Sequence, residues 1–371
     1  MHRNRFLIAS VISFALALLC ALGLSGATYY ITSSGGSDAY DGLAAAWDGS
    51  HGPWATINKI YTKSPALAAG DVVNLLRGSV WNDRLVRNSA GSAGNVITVQ
   101  AYGAGAAPEI RGYNSFITTG AWTDAGSNNW WASTANLGYA NNDVTTNACS
   151  FGGLWGTKVA AQVNLAQAQD WWYDSTNKKI YVYATSNPFT QYGTINYHGI
   201  TICIWSVVYP YWTFTGIRFG GHTGGSTPNQ SAGGNNLVFN YCEFDGMTLP
   251  GASSPLGVQS QTDGAGNRLN NCIVHGYYTG IVAGNTGANQ PLTLVNSIIF
   301  CNRNYCLYSN AAGSANYSYS AVYAGNIISY PLATRTVDTN TVDGGNNIAR
   351  SNLPRFSGTR IYPVYVGFSI D

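Results

Sequence analysis

The sequence predicts an all-β chain, a β-solenoid with an N-terminal capping helix and an inserted β-subdomain. The observations behind this are a strand pattern returning every 25 to 30 residues, polar turns after each return, and a composition short of charge. Of the 371 residues only 9% are charged, while Gly numbers 44, Tyr 25 and Trp 11. Little charge with much Gly, Asn, Ser and Thr suits strands joined by polar turns, and 45% hydrophobic residues excludes a disordered chain.

The N-terminal segment 1–27 has Arg3 and Arg5, an apolar run from Phe6 to Leu22, and small Ser25 and Ala27. It reads as a secretory signal peptide cleaved before Thr28, with a membrane anchor as the competing reading. Cys20 follows Leu19, a poor setting for a lipoprotein cysteine. Export implies a secreted location (extracellular, cell surface or periplasm), with no membrane contact in the mature chain. It also places Cys149, Cys203, Cys242, Cys272, Cys301 and Cys306 where disulfides persist. Their spacing shows no paired zinc motif. A net charge of +2 without a basic run speaks against nucleic acid, and a monomer is expected.

The first strand, "TYYI", is followed by Gly/Asp turns, and "WATINKIYTKSPAL" reads as the capping helix. A solenoid needs such a cover, because its first strands otherwise present an open edge. "GDVVNLLRGS" (70–79), "GNVITVQAYG" (94–103) and "PEIRG" (108–112) read as strands. Residues 120–197 break the period, are rich in Trp, and contain a hairpin in "DWWYDSTNKKIYVYA" (170–184). They form the expected insert. Its tryptophans, Trp171 and Trp172 among them, are read either as a small core or as platforms for sugar rings, the core being favoured.

The repeats follow: "FTGIRF" (214–219), "FNYCEF" (239–244), "LNNCIV" (269–274), "LVNSII" (294–299), "YAGNII" (323–328) and "GNNIAR" (345–350). Aligning Ile217, Cys242, Cys272, Ser297 and Ile327 gives steps of 25, 30, 25 and 30, with Ile348 21 later. One position earlier stand Gly216, Tyr241, Asn271, Asn296, Asn326 and Asn347, residues suited to left-handed backbone and to stacked amides. Leucine-rich and propeller signatures are missing.

Taken together, "YYITSSGGSDAYDGL…PWATINK…GDVVNLLRGSVW…GNVITVQAYGAGAAPEIRG", the "WWYDSTNKKIYVYA" insert and the Asn-rich repeats resemble secreted right-handed parallel β-helix proteins of the pectin-lyase-like superfamily. The resemblance runs from Ala27 to Phe356, and the β-helix domain is expected over 28–356. It implies a right-handed parallel β-helix that binds or degrades polysaccharide, as a lyase or glycoside hydrolase, or a non-catalytic surface or carbohydrate-binding protein. It does not choose among these. The tail 357–371 reads as a strand, the start of a second, truncated domain resembling a polysaccharide deacetylase.

A lyase base on the repeats cannot be lysine, since Lys59, Lys63, Lys158, Lys178 and Lys179 all precede them. The repeat acids are too sparse for a confident metal cage, so no metal ligands are assigned and Ca²⁺ is left open. The repeat alignment stacks Glu243 over Arg218 and Asp245 beside His275. Two readings compete. The favoured one is a surface ladder of ion pairs. The sharper one is a groove with Glu243, Asp245 and Arg218 as catalytic residues and Arg268, Asp263 and His275 around the substrate. Cys242 and Cys272 share an inward column and read as core thiols or a disulfide, not nucleophiles. "SDAYDG" (37–42) is taken as a turn in preference to a calcium loop.

Overall fold

The computed structural model describes residues 26–134, 148–200, 202–205, 209–222, 235–247, 256–260, 266–277, 279–283, 292–300, 305–309, 315–318, 321–323, 342–343 and 348–350. The signal segment up to residue 25, Asp263, Asn326, Asn347 and the tail 357–371 lie outside them. Nearly all assigned structure is strand, with two short α-helices, Lys59–Thr62 and Pro188–Tyr192. No helix among the described residues is long and apolar enough to cross a membrane.

Two parallel sheets organise the molecule, one of nine strands and one of eight. The chain visits them alternately. Trp212–Thr215, Leu237–Asn240, Arg268–Asn270 and Leu292–Val295 lie in the nine-stranded sheet. After two residues each, Arg218–Gly220, Glu243–Asp245, Ile273–His275 and Ile298–Phe300 lie in the eight-stranded sheet. A third parallel sheet, of Leu256–Ser260, Thr279–Ala283 and Tyr305–Ser309, takes the chain after three of these visits.

The two-residue corner has a fixed design. Its first residue is left-handed: Gly216, Tyr241, Asn271 and Asn296 have φ of 69°, 53°, 53° and 49°. Gly and Asn tolerate that region best. The second residue, Ile217, Cys242, Cys272 or Ser297, turns inward and is buried. The Cys242 thiol donates to the Asn240 carbonyl at 3.4 Å and the Cys272 thiol to that of Asn270 at 3.3 Å. The Ser297 hydroxyl makes the same bond to Val295 at 3.0 Å. Serine can therefore follow cysteine in this column, since each offers one donor beside the same carbonyl. Cys149, Cys203, Cys242 and Cys272 are all free thiols, which settles the column as core and not a disulfide. Burial pushes the Cys272 thiol well above its usual range.

Inside, rings stack from repeat to repeat. Phe214 lies 5.0 Å from Phe239 at 14° in the nine-stranded sheet, and Phe219 5.2 Å from Phe244 at 18° in the eight-stranded one. Such pairs add about 0.5–1.5 kcal/mol to their burial. The amide ladder falls one position earlier than the sequence suggests: Asn270 donates to Asn240 at 2.8 Å, and Gln100 to Asn74 at 3.0 Å. The corner asparagines give their left-handed backbone instead.

The later alignment also needs correction. Ile298 pairs with Ala321 and Ala321 with Ile348, so "SAVY" carries the strand and not "YAGNII". Ala315–Ser318 already occupies the nine-stranded sheet, and the next strand of the eight-stranded sheet is Ala321–Tyr323. Both stretches alternate apolar residues, so period alone could not separate them.

At the N-terminal edge, Thr28–Ile31 pairs with Val72–Leu76. Trp54 bridges to Ile31, and Ile57 and Ile60 are buried in the same core. The capping helix is only Lys59–Thr62. Between Tyr113 and His198 the chain builds two further sheets, of four and five strands. The hairpin is present, with Asp174 opposite Lys179. These sheets enclose a separate core of Phe116, Phe151, Trp171, Tyr173, Val182 and Tyr197.

Tyr241 is the poor fit among the corner residues, left-handed and 50% exposed. A left-handed non-glycine residue costs on the order of 1 kcal/mol. Tyr241→Asn, the residue used at the next two corners, is expected to stabilise by about 0.5–1 kcal/mol in urea unfolding. An unchanged or lower midpoint would count against the corner argument.

Candidate active site

Strands Glu109–Arg111, Arg218–Gly220, Glu243–Asp245 and Ile273–His275 are neighbours in the eight-stranded sheet. Their middle residues, Ile110, Phe219, Phe244 and Val274, point into the core. Strand alternation then turns the flanking residues outward. One outer column reads Glu109, Arg218, Glu243, Ile273, and the other Arg111, Gly220, Asp245, His275. Gly220 leaves room in the second column: a Cβ there would stand 3.1 Å from the Glu109 carboxylate.

Into that room reaches Arg218. Its Nη1 donates to Glu109 Oε1 at 3.2 Å and its Nη2 to Asp245 Oδ2 at 2.6 Å, while Nε lies 3.5 Å from Glu243 Oε2. Each guanidinium nitrogen thus faces one carboxylate. The chain contains only two glutamates, Glu109 and Glu243, and both flank this arginine. Burial pulls the Arg218 pKa down, but Glu109, Glu243 and Asp245 outweigh it and hold the guanidinium above its ordinary value. His275 Nε2 lies 3.0 Å from Glu243 Oε1, and its Nδ1 3.6 Å from Asp245 Oδ1. Asp245 Oδ1 also accepts the Met247 amide at 2.8 Å. The Glu243 side chain is 36% exposed and that of Asp245 8%, so Glu243 is the carboxylate a solute can reach.

The structure therefore brings Arg218, Glu243, Asp245 and His275 together, with the neighbours expected from the repeat. It also corrects several expectations. Asp245 is buried, not on the outer surface. Arg268 stands in the other sheet, exposed, with Nε bonded to Asn270 at 2.7 Å. Trp171 is 1% exposed within the insert core, so its rings offer no face to a sugar. Trp172 is half-buried on the opposite face of its strand, 5.5 Å from Tyr181. Asp263 lies outside the described residues.

Glu109 was missed, because the insert separates it from the repeats and hides its register. The one available signal was the scarcity of glutamate. Glu243, Asp245 and His275 present ligand atoms within 4.8 Å of one another. A guanidinium 2.6 Å from Asp245 suits this set poorly to Ca²⁺, which takes six to eight oxygens.

A second titratable group lies fully inside, beside Gly112. His222 is buried, with Nε2 3.3 Å from the Asp83 carbonyl. Burial, with His198 nearby, holds its pKa down at about 3 against the Asp83 carbonyl bond. Burial lifts Asp83 to about 6, despite a hydrogen bond from the Arg84 amide and the Arg84 charge. Neither was foreseen, since both depend on packing across the sheets.

No protein-family model matches the chain. A lacto-N-biosidase of Bifidobacterium longum subsp. longum is 37% identical over 81 residues, which are 21% of this chain and 5% of that enzyme. The match thus spans a small part of the relative. Among solved structures, a glycoside hydrolase superposes with a TM-score of 0.50 at 9% identity, over 81% of this chain and 80% of that one. A lacto-N-biosidase from Eubacterium ramulus gives 0.39 at 13% identity, over 80% and 52%. The first of these shows a shared fold; the identities are too low to carry activity across.

Two outcomes follow from the charges. Arg218→Met leaves the partly buried Glu109 and Asp245 without their cation and is expected to cost about 3–5 kcal/mol in denaturant unfolding. A loss below about 1 kcal/mol would mean the cluster is screened like a surface pair. The buried pair opposes itself in pH. Asp83, raised from 3.8, favours the fold fully below pH 3.8 and loses about 3 kcal/mol as pH rises through 6. His222, lowered from 6.5, favours the fold above pH 6.5 and loses that as pH falls toward 3. Asp83→Asn should therefore make stability fall more steeply than wild type between pH 6 and 4. His222→Gln should make it rise there. Parallel profiles for all three proteins would refute the assignment.

Proposed function

We propose that the chain is an exported right-handed parallel β-helix protein of the pectin-lyase-like kind that acts on glycans, and that its chemistry is glycoside hydrolysis at the Arg218 cluster. The carrying observation is the gathering of both glutamates and Asp245 on one arginine, in a chain with so few charges. The alternating visits to two parallel sheets support the β-helix reading. The shared fold with a glycoside hydrolase and the partial lacto-N-biosidase match support a carbohydrate-active role.

Glycoside hydrolysis needs one carboxyl to protonate the leaving oxygen and a second close by to act on the sugar. Glu243, open to solvent and bonded to His275, is assigned the proton transfer. Asp245, within 4.8 Å, is the second carboxylate, held by Arg218. Arg218 itself positions and does not titrate. A lyase reading is weaker. Proton abstraction needs a base that can shed its own proton, and three carboxylates keep the proton on Arg218. The lysines of the insert sheet, Lys158 and Lys179, belong to a different surface.

A non-catalytic carbohydrate-binding protein is the second reading, favoured by the three carboxylates that already neutralise Arg218. The two part in one experiment. The protein is incubated with neutral and uronate polysaccharides, and reducing ends and unsaturated products are measured. Hydrolysis predicts reducing ends without unsaturated product, and a loss of about 10²–10⁴-fold in Glu243→Gln at near-constant melting temperature. Unsaturated product would establish a lyase. No product at all, with Glu243→Gln lowering only the melting temperature, would leave the cluster as a structural ladder.

A further inference from the structure

The five-stranded sheet of the insert has two unlike faces. Its inner face carries Ala132, Trp171, Tyr173, Ile180 and Val182, all buried in the insert core. On the other face Trp131, Tyr181 and Trp172 stand side by side on three adjacent strands. Tyr181 is registered with Trp131 on one side and with Trp172 on the other. All three are half-buried, and none belongs to the core. Trp172 and Tyr181 have ring centroids 5.5 Å apart, tilted by 39°. Lys179 Nζ sits 3.6 Å from the Trp131 ring centre.

From this geometry we infer a second glycan-binding site, separate from the Arg218 cluster, on the outer face of this sheet. Strands spaced about 4.8 Å apart put three aromatic side chains over roughly 10 Å, about the length of two pyranose units. The apolar face of a pyranose packs on an aromatic ring, whereas its rim of hydroxyls needs polar partners. Those partners flank the row on the same face: Lys179, Asp174 and Ser133 occupy the adjoining register positions. The tilt between rings follows the sheet's twist and suits a chain of sugars that also twists. The row holds a polysaccharide near the enzyme and does not position the scissile bond.

The glycan class rests on the proposed function, so the test separates the two. Wild type, Trp172→Ala, Tyr181→Ala, Trp47→Ala and Glu243→Gln are run in native gels containing soluble xylan, galactomannan, galactan or polygalacturonate. Trp47 is 53% exposed and stacked on Tyr40 elsewhere, and controls for a nonspecific aromatic effect. The inference predicts that at least one polysaccharide retards wild type, Trp47→Ala and Glu243→Gln alike. Trp172→Ala and Tyr181→Ala, at unchanged melting temperature, should weaken that retardation at least tenfold. Retention surviving in both row variants, or lost in Trp47→Ala, overturns the site. So does the absence of retardation by every polysaccharide. Failure of wild type to hydrolyse any of these polysaccharides, with its retention intact, would sink the catalytic reading alone. Faster sedimentation of wild type than of Trp172→Ala would identify the face as a contact between copies of the chain, and overturn the glycan assignment.

Discussion

Everything else in the structure depends on a two-residue corner. One residue in left-handed conformation swings the chain out of the nine-stranded sheet, and the next drops its side chain inward before the eight-stranded sheet begins. Because the corner has constant length from repeat to repeat, the strands on both sides stay in register. The phenylalanines stack as a result, and so do the outward columns. Insertions between repeats change the spacing from 25 to 30 residues without disturbing this. The variable length is absorbed in the connections that follow the eight-stranded sheet, where loop length costs little entropy.

The charged cluster is a product of the same register. Four strands from distant parts of the chain lie only about 4.8 Å apart, so a single long side chain can touch three neighbours. Arg218 is central because its own strand ends in Gly220, which clears a path to Asp245. With a longer residue there, the guanidinium would be confined to its own column. The inner glycine faces a parallel demand: a Cβ on Gly112 would meet His222 at 2.8 Å. Small residues at these positions thus serve contact across the sheets more than chain flexibility.

This explains which parts were legible in the sequence. Strand spacing, inward cysteines, left-handed corners and the Arg218–Glu243 and Asp245–His275 neighbours follow from a local repeat, and local repeats can be aligned by eye. The Ile327 alignment failed where two stretches had the same alternation and only the sheet sequence could choose between them. Glu109 was out of reach because a self-contained insert lies between it and Arg218. The insert's tryptophans were legible as a group but not one by one. Trp171 and Trp172 are adjacent, and a strand sends adjacent residues to opposite faces. Deciding which one meets the core requires the partner strands.

The cluster's own energetics set the terms for any chemistry there. An ion pair offsets its desolvation only when its geometry is good, and Arg218 faces a carboxylate with each of its three nitrogens. Such an arrangement stabilises, yet it leaves Glu243, the most exposed partner at 3.5 Å, the one Arg218 holds least tightly. Two carboxylates close together, one buried against the guanidinium and one open to solvent, stand in unlike environments, the asymmetry from which acid and base roles are divided. The ladder and the active site are therefore not exclusive descriptions. The strong contacts to Glu109 and Asp245 build the platform, and the weak contact to Glu243 is where a substrate can compete.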